Sequence, residues 1–156
     1  TGGTIKVWQL AGCATGSNNI VTHYTASRYN ITLAASYSVC KQTGQPDNST
    51  TNTAAAASSI TTTLTTVADN CWTFVAYSAG LGVGTKSAGA GTTIRQKDDT
   101  VACGIADSNA AITPAGSTSL IINTTVVDNF ATVMASFAPF VAGATTSSST
   151  QLLMRV

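Results

Sequence analysis

The chain has 156 residues, 8% of them charged, and a formal net charge of +1. That is long enough for one domain with its own core, and too weakly charged to gather nucleic acid or steer an acidic substrate. At 44% hydrophobic it is not a disordered chain, and it holds no run of about 18 apolar residues that would insert into a membrane.

Hydroxyls stand where charges usually would, with 44 Ser and Thr residues. Thr is β-branched and suits a half-buried pleated surface. A surface short of charge resists association weakly, which fits a surface that meets protein or glycan and equally a stable extracellular β domain that is Thr-rich without assembling.

In chain order, "TIKVWQL" (4–10) alternates, with Lys6, Trp8 and Leu10 on one face and Ile5, Val7 and Gln9 on the other. "NNIVTHY" (18–24) and "ITLAASYSV" (31–39) read as strands. "KQTGQPDNSTTNT" (41–53) reads as a loop, and "AAAASS" (54–59) leads from it into a strand. "SITTTLTT" (59–66) alternates, and "CWTFVAYS" (71–78) is apolar enough for a central strand. "AGLGVGTKSAGAG" (79–91) is a Gly-rich hairpin loop. "TTIRQKDD" and "VACGIAD" are short strands, and "SNAAITPAGS" carries a Pro-Ala-Gly turn. "STSLIINTTVV" (117–127) and "FATVMASFAPF" (130–140) form a last strand pair, followed by a Ser/Thr-rich linker and the apolar hexamer Gln151, Leu152, Leu153, Met154, Arg155 and Val156. About ten short strands with turns between them and no helical periodicity predict an all-β sandwich.

One phrase occurs twice: "TTVADNCWT" at 65–73 and "TTVVDNFAT" at 124–132. Each is expected to be a strand, an Asp-Asn corner and a returning strand, because both residues bond their own backbone and Asn tolerates positive φ.

Several of these stretches, "AASYSVCKQTGQPDNSTTNT", "SSITTTLTTVADNCWTFVAYSA", "AGAGTTIRQ", "DSNAAITPAGSTSLIINTT" and "FATVMASFAP", together resemble a jelly-roll-like antiparallel β-sandwich domain that recurs in phage structural proteins and in bacterial surface proteins. The likeness runs from about Thr4 to Pro139. It implies a β-sandwich over 1–140, an extension over 141–156, and a structural context with no enzyme activity. The family domain has further strands ahead of the counterpart of "TIKVWQL". A sandwich lacking them is expected to expose an unpaired edge and a groove, into which a neighbour's strand Gln151–Val156 would fit.

Candidate chemistry is sparse. Cys13, Cys40, Cys71 and Cys103 lie far apart with no C-x-x-C, which argues against a zinc knuckle or a thioredoxin-type site and points to disulfides or buried free thiols. His23, the only histidine, would have to serve any Ser–His–Asp arrangement, and no G-x-S-x-G elbow accompanies it. There is no Glu, and Asp47, Asp69, Asp98, Asp99 and Asp128 read as turn residues, which argues against paired-carboxylate hydrolysis. Gly80, Lys86 and Ser87 match a phosphate loop, but Thr85 stands where it needs glycine. Asn30, Asn48 and Asn123 head glycosylation sequons. Of the aromatics Trp8, Tyr24, Tyr29, Tyr37, Trp72 and Tyr77, Trp8 is the candidate for stacking on a sugar and Trp72 is expected in the core. The expectation is a non-catalytic structural subunit of an extracellular assembly or virion surface, with no cofactor or metal, partnered by other copies of itself or other structural subunits. A carbohydrate-binding or adhesive module on surface glycans is the alternative.

Overall fold

The computed structural model describes residues 4–13, 16–23, 30–80, 84–141 and 149–155. Nine strands run through them: β1 (Lys6–Cys13), β2 (Thr32–Tyr37), β3 (Asn48–Thr65), β4 (Trp72–Ala79), β5 (Lys86–Ala88), β6 (Thr93–Asp98), β7 (Cys103–Asp107), β8 (Ser117–Phe137) and β9 (Ser149–Arg155). Every pairing between them is antiparallel, and the described residues contain no helix. The chain is all-β, as its Thr-rich alternating stretches predict. Strands β1, β9 and β2 form one sheet in that order. The other runs β3-β8-β4-β7-β6, with β5 also on β8.

Strand β4 sits at the centre and is covered on both faces. Phe74 and Ala76 join Leu33 and Tyr37 of β2, Ile105 of β7 and Phe137 of β8 in one core cluster. Val75, Tyr77 and Ala79 join a second cluster with Ala106, Met134, Ile60 and Leu120. A strand buried on both faces reads as a near-continuous apolar run, and "CWTFVAYS" does, with Thr73 its one internal polar residue. On β1, Val7 packs at the edge of the first cluster while Trp8 and Leu10 are exposed, the alternation its sequence predicts.

Two stretches differ from their sequence reading because strands are longer than their punctuation suggests. Strands β3 and β8 have 18 and 21 residues and stay paired from Asn48↔Ser136 to Thr65↔Ser117. Thus Asn48–Thr53, read as loop, is strand, and 117–127 with 130–137 is one strand rather than a hairpin. The first Asp-Asn phrase is a corner, with Asn70 at φ 62° and the Asp69 carboxylate accepting the Ala115 N–H at 2.6 Å. The second lies inside β8. There Asn129 Oδ1 accepts the Ala56 N–H at 2.8 Å and Asp128 faces Lys86, so the pair pins a bend instead of reversing the chain. The register slips at Ala54/Ala57 and Ala57/Ser59, where small alanines and a positive φ at Ala56 permit the fold-over. Residues 18–23, read as strand, have no regular structure.

The bend lays the second half of the β3–β8 ribbon over the first. Thr62 and Thr132 place their hydroxyls 2.7 Å apart, although their strand partners are Leu120 and Asn52. The fold-over also closes an edge. Asn48 and Asn52 donate through Nδ2 to the carbonyls of Thr65 (2.8 Å) and Thr61 (2.7 Å). Their Oδ1 atoms accept the N–H groups of Ser49 (2.8 Å) and Thr53 (2.9 Å). Each amide satisfies one backbone group from each half of β3, so these stretches of its edge are capped by side chains.

Strand β9 lies between β1 and β2, with Trp8↔Leu153 on one side and Ala35↔Leu152 on the other. The apolar hexamer is therefore a strand, but here it is paired within its own chain; Val156 falls outside the described residues.

Candidate functional site

A cavity of about 850 Å³ opens between β2 and the β4–β7–β6 side of the larger sheet, lined by Ser36, Tyr37, Asn70, Trp72, Arg95 and Asp107 among others. Asp107 ends β7 with its side chain 2% exposed. Its Oδ2 accepts from Arg95 Nε at 2.7 Å and from the Tyr37 hydroxyl at 3.1 Å, and its Oδ1 from the Asn109 N–H at 2.8 Å. Arg95 Nη2 also donates to Asn109 Oδ1 at 2.8 Å, and the Arg95 side chain is 40% exposed.

The placement of Arg95 has a local cause. In the β6–β7 ladder Thr93 faces Asp107 and Ile94 faces Ala106, then Gln96 faces Ile105, so Arg95 is the extra residue of a bulge. Bulges re-aim side chains, and this one lets Nε reach the carboxylate. Beneath, the Tyr37 ring packs 6.0 Å from Trp72, 6.0 Å from Phe137 and 6.4 Å from Phe74. Burial, and then the Asp107 charge, push the Tyr37 phenol above its ordinary range. The hydrogen bond to Asp107 holds the Arg95 guanidinium charged more firmly still. A phenol kept protonated and a guanidinium kept charged are binding groups, not proton shuttles. The arrangement can hold a polar ligand: a half-buried indole as platform, a guanidinium edge, an amide at Asn70 and a hydroxyl at Ser36.

Sequence reading misses this site. Asp107 closes an apolar run like a strand end, and no residue pattern shows the bulge at Arg95. Trp72 is expected in the core but is only half-buried and lines the cavity. Trp8 is 42% exposed on β1 and does not line the cavity. Tyr24 and Tyr29 lie outside the described residues.

The other candidates fall elsewhere. Cys40, Cys71 and Cys103 are free and buried, which corrects the disulfide expectation for them. Their backbone partners are Pro139 for Cys40, Ile112 for Cys71, and Ser78 and Asp98 for Cys103, so no two of them face each other. Burial pushes the Cys71 and Cys103 thiols up to about 11 and raises Cys40 too, so all three act as small apolar residues. Cys13 pairs through its backbone with Ser149, and its side chain is outside the description. His23 is exposed on the irregular stretch 18–23, not on a strand. Asn48 has its amide on Thr65, Asn123 sits mid-sheet between Ser59 and Ser87, and Asn30 is half-buried ahead of β2. Asp47, read as a turn residue, also accepts the Val67 N–H at 2.9 Å, and the Cys71 thiol and Ser136 hydroxyl each at 3.4 Å. Lys86, read as part of a flexible loop, is buried and begins β5. The described residues bring together no group of three or more His, Cys, Asp or Glu.

No protein-family model, no curated protein and no solved structure matches this chain.

Proposed function

We propose that the chain is a non-catalytic structural subunit of an extracellular assembly, a jelly-roll-like β-sandwich of the kind used in phage virions or surface filaments, and that β9 is its joining strand. One observation carries this reading: β1 and β2 each pair with β9 and with no other described strand. The three-stranded sheet exists only through β9. The slot between β1 and β2 offers the same backbone ladder to β9 of a second copy, and exchanging an identical element between copies costs little net energy. A surface with 8% charged residues resists such association weakly.

The test is light scattering on the full chain and on a chain lacking residues 149–155. The full chain should form concentration-dependent oligomers, and the shortened chain should lose them while binding a synthetic peptide of residues 149–155. A full chain that is monomeric at every concentration, or a shortened chain that assembles equally well, contradicts the reading.

A second reading, a glycan-binding or adhesive module, is favoured by the cavity between Trp72 and Arg95, where an aromatic platform adjoins a guanidinium. A glycan array with Trp72→Ala as control tests it. Reproducible binding lost in the variant supports it, and absence of binding by the native chain removes it.

A further inference from the structure

We propose that Lys86 and Asp128 join covalently, through an isopeptide bond from Nζ to Cγ that fastens β5 to β8. The inference stands on this pair alone and does not depend on how the chain assembles. Both side chains are fully enclosed, 0% exposed, with Nζ and Asp128 Oδ2 3.4 Å apart. That is longer than a good charge-assisted hydrogen bond and leaves the amine nitrogen beside the carboxyl group.

The surroundings hold the two groups for that reaction. Nζ donates to the Gly84 carbonyl at 3.1 Å. The Lys86 N–H donates to Asp99 Oδ1 at 3.0 Å, and the Lys86 carbonyl accepts from Lys97 Nζ at 2.8 Å, which fixes the backbone from both ends. Gly84, at φ +76°, lies so close to Val126 and to the hydroxyls of Thr124 and Thr125 that a Cβ there would press on all three. Asp128 Oδ1 accepts the Asn129 N–H at 2.7 Å. This donor polarises the carboxyl group and leaves Oδ2 toward the amine.

The step balances without any co-reactant. A proton passes from the Lys86 ammonium to Oδ2, giving an amine and an acid. The amine lone pair attacks Cγ. Oδ1 takes the developing negative charge, which the Asn129 N–H stabilises as an oxyanion donor. The Cγ–Oδ2 bond breaks, and Oδ2 leaves as water with the transferred proton and one from nitrogen. The product is a neutral amide whose oxygen keeps the Asn129 N–H and whose remaining N–H faces the Gly84 carbonyl. Two enclosed charges are replaced by one satisfied dipole. Prior alignment of the partners supplies what dilute amines and acids lack.

Intact mass spectrometry of the folded, then denatured, full chain tests this. The expected mass is below the sequence mass by one water molecule, and peptide mapping should find the segment around Lys86 linked to the segment around Asp128. Lys86→Arg and Asp128→Ala should show their full sequence masses. Asp128→Asn should form the same link and fall short of its own sequence mass by one ammonia. A native chain at full sequence mass, after long incubation in the folded state and with no linked peptide, overturns the proposal. So does a water loss that persists in Lys86→Arg, since that places the dehydration at another residue.

Discussion

Replacing Tyr77 by Phe should stabilise the protein, against the usual effect of altering a core residue. Tyr77 is completely buried on β4 opposite Gly104 of β7, and its hydroxyl has no hydrogen-bond partner among the described residues. A buried hydroxyl left unpaired costs about 1–3 kcal/mol. Removing one oxygen forfeits only a handful of contacts, each about 0.1–0.2 kcal/mol. The expected gain is about 1 kcal/mol, or roughly 2–4 °C in Tm for a chain of this size. Urea titration followed by tryptophan fluorescence reads it directly. Burial also holds the Tyr77 phenol protonated above its ordinary 10.0. A raised acid contributes stability below its unfolded pKa and loses it as pH climbs toward the folded value, so the Phe variant should soften less above pH 10. The partner substitution has the opposite sign. A Cβ on Gly104 would run into the Tyr77 ring and hydroxyl, so Gly104→Ala should cost about 1–3 kcal/mol of overpacking, part of it recovered when Tyr77→Phe is added. A Tyr77→Phe variant destabilised by 1 kcal/mol or more would mean that the hydroxyl has a strong partner, and would refute the reasoning.

Asn48→Ala and Asn52→Ala should each lower stability by about 1 kcal/mol in urea titration, and together should raise the aggregation rate, because the edge of β3 then presents bare backbone groups. Asp107→Ala strips acceptors from Arg95, Tyr37 and Asn109, and should cost about 2–3 kcal/mol while Trp72 fluorescence shifts as its cavity loosens. Stability should fall between about pH 9 and 11 as the Cys71 and Cys103 thiols, ionised freely only when unfolded, are penalised in the fold. At about 1.4 kcal/mol per unit, that is about 2–3 kcal/mol for each thiol. Cys103→Ala should flatten the alkaline limb measured by thermal unfolding.

Much of the architecture was legible because it follows from local chemistry. The alternation of "TIKVWQL" gives β1 its exposed Trp8 and inward Val7, and the mostly apolar run at 71–78 gives a strand covered on both faces. What failed to show was set by distant partners. An Asp-Asn pair makes a corner at 69–70, where Asn70 can enter the left-handed region. At 128–129 the same pair is held to Ala56 and Lys86, and the strand continues. Asn48 and Asn52 look like loop residues because their amides serve backbone groups up to 17 positions away. The cluster of Arg95, Asp107 and Tyr37 was hidden for the same reason: it depends on a one-residue slip between β6 and β7, which composition does not encode.

The assembled state gives the most direct test, through the paired positions Ala34 of β2 and Leu153 of β9. An Ala34→Cys/Leu153→Cys chain, prepared in light and heavy isotopes, would be mixed unfolded, refolded, concentrated and oxidised, and its linked peptides weighed. Strand donation predicts that the assembled fraction contains peptide pairs with one light and one heavy member. Pairs of a single isotope throughout, or the absence of any assembled fraction, would show that each chain keeps its own β9.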